Sequence, residues 1–558
     1  MVSTKEAHPA VTVAVRGSTR PIVGRTQAAS AGYPKSLDLF HGIRYARAPL
    51  WEKSQPVRLG EPVSPTARGG DGNGAGEYDD LCVYITRPSR NAESEEERRG
   101  GGGKMPVVVF FHGGAFNFGH ALDSDLKSFV ARSRRDIISV SVGYRLGPVG
   151  FGPGRDERRE GSESEESISE GGGERNEETG LGKLNLGLDD QMVGLEWVRQ
   201  WIGAFGGDGE DITVMGIGHH MLRQPSQRIF RRVILESGSP TARSVLSARH
   251  PRTARQYQEF RERVRALGGV NRSNITRAGD AVWAQGERSL QWPFQPVVDD
   301  DHHDSSDSDA DADSMIPDTP LHLWDRPGFV PPPILTGFCS HEGITFIPPD
   351  VTATLREFFG ALIPGLDLDA LDGLYPPGMY PSERLRIVDA YSHHAYICPA
   401  FHTAHKASLL GRRRPHPVYL YEFAAPNTPN GFVSHCAHGP VLRPPGGVPL
   451  GPGLADVGRE MMARWERFIL SGDGDGDGDG TVGRDDVWPT FKTPFAEDGR
   501  DGGDETAGLL LVFGQGNDEA RGGTSPGVPV RTRRMTGREM DVCRFWWDNM
   551  PLSQGMGR

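Results

Sequence analysis

Nowhere does the chain hold the ~18 consecutive apolar residues that a membrane-crossing helix needs, so no spanning segment is expected. The opening stretch from Met1 to His8 leads into no apolar run of the ~7–15 residues that mark a secretory leader, which predicts an intracellular protein. Basic charge is not in excess either. The 62 lysines and arginines face 74 acidic residues, a formal net charge of −12, and that sign gives no attraction for nucleic acid or an anionic membrane. Cysteine is scarce, with five residues (Cys82, Cys339, Cys398, Cys436, Cys543) far apart and none paired as CxxC. A zinc ribbon or redox motif is therefore excluded, and buried free thiols in a reducing compartment are expected. No phosphate-cradling glycine loop follows a strand, so no nucleotide and no other cofactor is expected.

Apolar residues make up only 36% of the chain. The deficit is concentrated in four stretches, 92–104, 154–180, 299–314 and 472–480, built of Gly, Glu, Arg, Ser and Asp. Each has too little apolar surface to offset the entropy of ordering, and each is expected to be a mobile surface insertion. The repeat Asp473–Gly478 resembles a calcium loop superficially, but Arg484 stands where the bidentate Glu would be needed. The Asp/His tract at 299–304 reads as a solvated insertion, so no metal site is expected.

Between these stretches the pattern is regular. Strand-like runs fall at 106–111, 137–142, 212–215, 233–235, 417–423 and 509–513. Residues 188–204 predict a helix, with Leu188, Met192, Leu195, Val198 and Ile202 on one face. Asp189 and Asp190 stand at its start, where the helix dipole favours negative charge. Alternating strands and helices over this length predict an α/β fold, a mostly parallel twisted sheet with helices on both faces. The run Met105–Phe111 ends in His112-Gly113-Gly114, a turn whose small residues let backbone amides face an open cavity.

An ordered series of motifs then carries a resemblance. It comprises His112–Phe116, Ser141–Gly147 with Gly150-Phe151, Asn185–Gln191, Phe205–Asp208, Glu236–Pro240, Phe294–Asp299, Glu342-Gly343, His438-Gly439, Trp488-Pro489 and Cys543–Trp546. Together they resemble the type-B carboxylesterases, the cholinesterase-like branch of the α/β-hydrolases, over one domain spanning 10–548. The resemblance implies hydrolysis of a small-molecule carboxylic ester by a Ser–His–Glu triad, in the chain order nucleophile, acid, histidine. A hydroxyl is a weak nucleophile at neutral pH, so it needs an imidazole base, and the base needs an acid to fix its tautomer. The acid position falls on Glu342, in a Glu-Gly turn after the strand-like Pro333–Gly337. The segment Ser434–Gly439 offers two histidines: His438, in the context His-Gly-Pro-Val-Leu, matches the family pattern, and His435 is the alternative. Gly113 and Gly114 are implied as oxyanion donors, one such donor being worth ~3 kcal/mol of barrier.

The nucleophile is missing. After Ile212–Met215 the family pattern requires Gly-x-Ser-x-Gly, whereas Gly216 runs directly into Ile217-Gly-His-His220. The segment to the next strand is shorter than the family's by roughly seven residues, which describes a deletion rather than a substitution at Gly218. His219 and His220, one residue apart, lack the i, i+4 spacing of a helical metal pair. Ser237 and Ser239 follow the next strand and belong to a structural turn. Two origins fit the gap: natural loss, leaving a pseudoenzyme or binding protein on the same fold, or a coding sequence short of a few codons. The survival of the acid and base candidates favours the second.

Overall fold

The computed structural model describes residues 9–14, 20–61, 81–89, 103–154, 182–216, 218–223, 225–299, 314–411, 416–446, 448–471, 488–495 and 505–553. The four polar stretches expected as insertions lie almost wholly outside the described residues.

A twelve-stranded sheet runs through the molecule. In chain order its strands are β1 (Ala10–Val13), β2 (Ile22–Gln27), β3 (Leu37–Arg44), β4 (Cys82–Pro88), β5 (Met105–Phe111), β6 (Ile138–Val142), β7 (Gly207–Met215), β8 (Arg232–Glu236), β9 (Ile334–Cys339), β10 (Val418–Phe423), β11 (Leu509–Asn517) and β12 (Pro526–Arg534). Across the sheet they lie in the order β1-β2-β3-β4-β6-β5-β7-β8-β9-β10-β11-β12. Every neighbouring pair from β6 to β11 is parallel, while the edges are antiparallel. All six strand-like runs of the sequence fall on strands of the parallel centre.

The apolar sequence of β5 follows from its position. Val107, Val109 and Phe111 enter the core on one face, and Val108 and Phe110 enter the core on the other. A strand covered on both faces has no solvent side, so it reads as a continuous apolar run. Helix α1 (Leu186–Trp201) packs on the first face through Leu188, Met192, Leu195 and Val198. Helix α2 (Pro452–Leu470) covers the second through Val457, Met461, Trp465 and Ile469.

One feature of α1 departs from expectation. Asp190 does not serve the helix dipole; it is fully buried and accepts two bonds from the Arg145 guanidinium, at 2.8 and 2.7 Å, and one from the Arg145 amide at 3.0 Å. The cysteines also divide. Cys339, Cys398 and Cys543 are buried, as expected, but Cys82 is half-buried and Cys436 is exposed. The sulfurs of Cys398 and Cys543 lie 2.8 Å apart.

The connection from β7 to β8 is unusually plain. Its described residues form two 3-10 turns, His219–Leu222 and Pro225–Gln227, and no α-helix. His220 Nε2 sits 2.8 Å from Gln191 Oε1 of α1, and burial lowers the imidazole to about 3, so it is neutral and structural. Among the described residues there is no His/Cys/Asp/Glu cluster able to hold a metal and no helix long and apolar enough to cross a membrane.

Candidate active site

The candidate residues gather at the carboxyl ends of β5, β7 and β9, where open α/β sheets bind ligands. After β5 the chain turns sharply through Gly113 and Gly114. Gly114 has φ +118°, and a Cβ there would stand 2.2 Å from the Phe118 carbonyl, so only glycine fits. Gly113 faces open space, with nothing within 4 Å of where a Cβ would be. Among the described residues, neither glycine amide is paired with an acceptor. The turn is braced from behind, where Tyr144 donates its hydroxyl to the His112 carbonyl at 2.8 Å and its ring stacks on the imidazole. The result is a pair of uncommitted N–H donors at the edge of a void.

β7 ends beside this turn. Gly216 has φ +116° and leaves no room for a side chain, since a Cβ would meet the Phe111 carbonyl at 2.1 Å. At the place where the sequence pattern led one to expect a nucleophile elbow, Gly218 leads directly into the 3-10 turn at His219. Ser237 and Ser239 do not fill the role. The Ser237 hydroxyl faces Cys339 Sγ at 3.7 Å, and that of Ser239 is held by Thr403 and the Pro399 carbonyl at 2.9 and 3.1 Å.

The acid candidate follows β9. Glu342 opens a 3-10 turn, is fully buried, and accepts the Cys339 amide on Oε1 at 2.7 Å. Its other oxygen lies 2.5 Å from Nδ1 of His435. Gly343 is required next to it because a Cβ would stand 2.4 Å from the Val388 carbonyl. Glu342 therefore meets His435, and the expected convergence with His438 does not occur. The imidazole of His438 instead faces Cys339 Sγ at 3.6 Å and Glu236 at 3.4 Å, beneath Tyr421 and Phe423 in the second core.

Two local causes separate the histidines. The loop before His435 is zipped to the Glu342 turn, since the His341 amide donates to the Val433 carbonyl at 3.0 Å and the His435 amide to Thr345 Oγ1 at 3.2 Å. His438 is the N-cap of the helix Gly439–Leu442, which turns it away toward Glu236. There it completes a structural cluster in which Arg443 holds Glu236 at 2.9 and 2.7 Å and Trp465 donates at 3.0 Å. Burial would raise the Glu236 carboxyl, but Arg443 and His438 hold it well below the usual range. Gly439-Pro440 in the sequence marks a helix start, a local signal that sets His438 apart from the loop residue His435.

His435 lies among Phe346 and Tyr396, at ring separations of 5.3 and 4.5 Å, with the exposed Cys436 next to it at φ +58°. Burial alone would push the imidazole down, but Cys436 and Glu342, each hydrogen-bonded to it, hold it up at about 10. The folded state thus binds a proton that the unfolded chain releases near 6.5. Its contribution to stability is complete below about pH 6.5 and is lost as pH rises toward 10. A charge-assisted bond of this kind is worth on the order of 1.5–3 kcal/mol. Denaturant unfolding of the wild type and of His435→Gln, compared at about pH 6 and pH 10, is expected to show a stability difference that shrinks at the higher pH.

Comparison with known proteins bears on the family and the fold. The model of the carboxylesterase family matches residues 11–161 and 177–359. Secreted lipase 4 of Gibberella zeae is 27% identical over 359 residues, covering 58% of this chain and 57% of that protein. The para-nitrobenzyl esterase of Bacillus subtilis is 27% identical over 264 residues, 45% of this chain and 47% of that protein. The chain thus spans about half the length of these curated relatives. The crystal structure of Aspergillus niger EstA superposes with a TM-score of 0.68 at 18% identity, over 99% of this chain and 100% of that one, a likeness of fold. The sheet is that of an α/β-hydrolase, and the chain belongs to the carboxylesterase family.

Proposed function

We propose that this fold serves hydrolysis of small-molecule carboxylic esters, with His435 as base, Glu342 as its orienting acid, and the amides of Gly113 and Gly114 as oxyanion donors. The contact of 2.5 Å between buried Glu342 and His435, on the side of the sheet that carries the open Gly113 turn, is the observation that carries this reading. In the complete reaction a serine oxygen attacks the ester carbonyl while His435 takes its proton and the two amides receive the charge developing on the carbonyl oxygen. His435 then returns the proton to the departing alcohol, and water repeats the sequence on the acyl-enzyme. One unit spanning 10–548 is supported by the unbroken sheet from Ala10 to Arg534.

The chain as written lacks the attacking hydroxyl. That absence favours a non-catalytic protein on the same fold for this sequence in particular. Hydrolysis of p-nitrophenyl butyrate is expected at little above background, with no covalent labelling by a fluorophosphonate. Efficient turnover that survived His435→Ala would overturn the assignment.

An intracellular site of action is supported by the five unbridged cysteines. Two relatives carry the name secreted lipase, which is said of those proteins. Thiol titration of the denatured, unreduced protein decides the point: five free thiols agree with the intracellular reading, and a Cys398–Cys543 bridge opposes it.

A further inference from the structure

An arc of aromatic rings joins the Gly114 turn to His435. Phe118 packs edge-on against Trp283 at 4.5 Å, Trp283 against Trp292 at 5.3 Å, Trp292 against Phe346 at 6.0 Å, and Phe346 stacks on Tyr396 at 5.3 Å. Against this arc lies the guanidinium of Arg243, 4.9 Å from the Trp292 ring, 5.5 Å from Phe346 and 5.2 Å from Tyr396. Among the described residues its hydrogen bonds go to phenolic hydroxyls, Tyr396 and, at 3.4 Å, Tyr391. No carboxylate among the described residues pairs with it. Burying a cation without a counter-ion is costly, and ring faces compensate only in part.

Beside Arg243 opens a cavity of about 410 Å³, a volume in the range of small-molecule sites. Its wall also holds Arg252, Arg255, His250, His394 and Gln295, and among the described residues no aspartate or glutamate. Burial draws the Arg252 guanidinium down to about 10. His394 reaches the wall from a π-helical turn, His393–Ile397, the same turn that inserts Tyr396 between Arg243 and His435. Such turns inside helices recur at functional sites. Burial and Arg243 keep His394 neutral, at about 4, so the arginines supply the positive charge.

We propose that this cavity is an anion site that binds the carboxylate of a small organic acid through the Arg243 fork, with Arg252 as the second cation. Guanidinium presents parallel N–H donors matched to the two oxygens of a carboxylate, which favours that group over a point anion. The consequence for substrate rests on the ester-hydrolase reading: the preferred esters carry a free carboxylate, as the monoesters of dicarboxylic acids do.

The binding claim needs no nucleophile and is tested on the chain as written. Isothermal titration with glutarate and with its neutral isostere glutaramide is expected to give at least tenfold tighter binding of glutarate. Arg243→Met, which keeps the volume and removes the charge, is expected to abolish that difference. Arg243→Lys, which keeps the charge and loses the fork, is expected to weaken glutarate several-fold and leave glutaramide unchanged. Should the Met variant fail to fold, the Lys variant carries the same readout. Equal binding of acid and amide by the wild type, or a glutarate preference unchanged in both variants, overturns the proposal. Glutarate binding alongside an inert elbow-restored enzyme would overturn the hydrolase reading alone.

Discussion

Insertion of Glu-Ser-Ala-Gly-Ala-Met-Ser between Gly216 and Ile217 is expected to turn an inert protein into an esterase labelled by fluorophosphonates. The segment supplies the serine and, in the residue after it, a third oxyanion donor beside Gly113 and Gly114. Removing a triad nucleophile costs ~10⁶ in turnover in a well-studied protease, so restoring one is expected to raise turnover by several orders of magnitude. Gly218→Ser alone is expected to restore nothing, because that residue directly precedes the 3-10 turn at His219 and a Cβ there meets Pro240 at 2.6 Å. Within the restored enzyme, His435→Ala is expected to abolish labelling, whereas His438→Gln lowers stability and leaves labelling of the folded fraction intact. The reverse pattern would return the base to His438. A folded insertion variant that stayed inert would move the weight to a binding protein.

Asp190→Ala is expected to be the most damaging single change away from the site. Both Asp190 and Arg145 have fully buried side chains, and removing the carboxylate leaves the guanidinium uncompensated. Breaking a buried pair in this way costs roughly 3–5 kcal/mol, read as a lower denaturant midpoint with an unchanged slope. Replacing both partners with apolar residues of similar volume is expected to cost far less, because no charge is then stranded. The exposed pair Arg199–Glu210, 45% and 72% accessible, is the control and is expected to yield less than ~1 kcal/mol.

These contrasts also show which features the sequence made legible. The parallel strands were readable because burial on both faces leaves a continuous apolar run, as in Met105–Phe111. Glu342 was readable because it sits in a Glu-Gly turn, and that glycine is sterically compelled. The pairing of Glu342 with His435 rather than with His438 was not legible, since it depends on the helix that begins at Gly439 and on bonds from the loop to His341 and Thr345. Asp190 looked like a dipole residue because its partner lies on a distant segment. Arg243 gave no sign at all: its surroundings come from rings between Trp292 and Tyr396 that only the fold assembles.

The plain connection from β7 to β8 carries a last consequence. Two parallel neighbours need only a dozen or more residues to cross between them, and the chain from Gly216 to Arg231 still meets that requirement. The register Val233↔Val214 is kept, and the turn's own residues Met221 and Leu222 still plug the core. A connection of this length is therefore compatible with an intact sheet. Chaperones and proteases act on exposed apolar surface and open backbone, and the described turn residues Met221 and Leu222 are buried. A cell making this sequence is expected to accumulate a folded protein, and an assay of chemistry is what tests for the nucleophile.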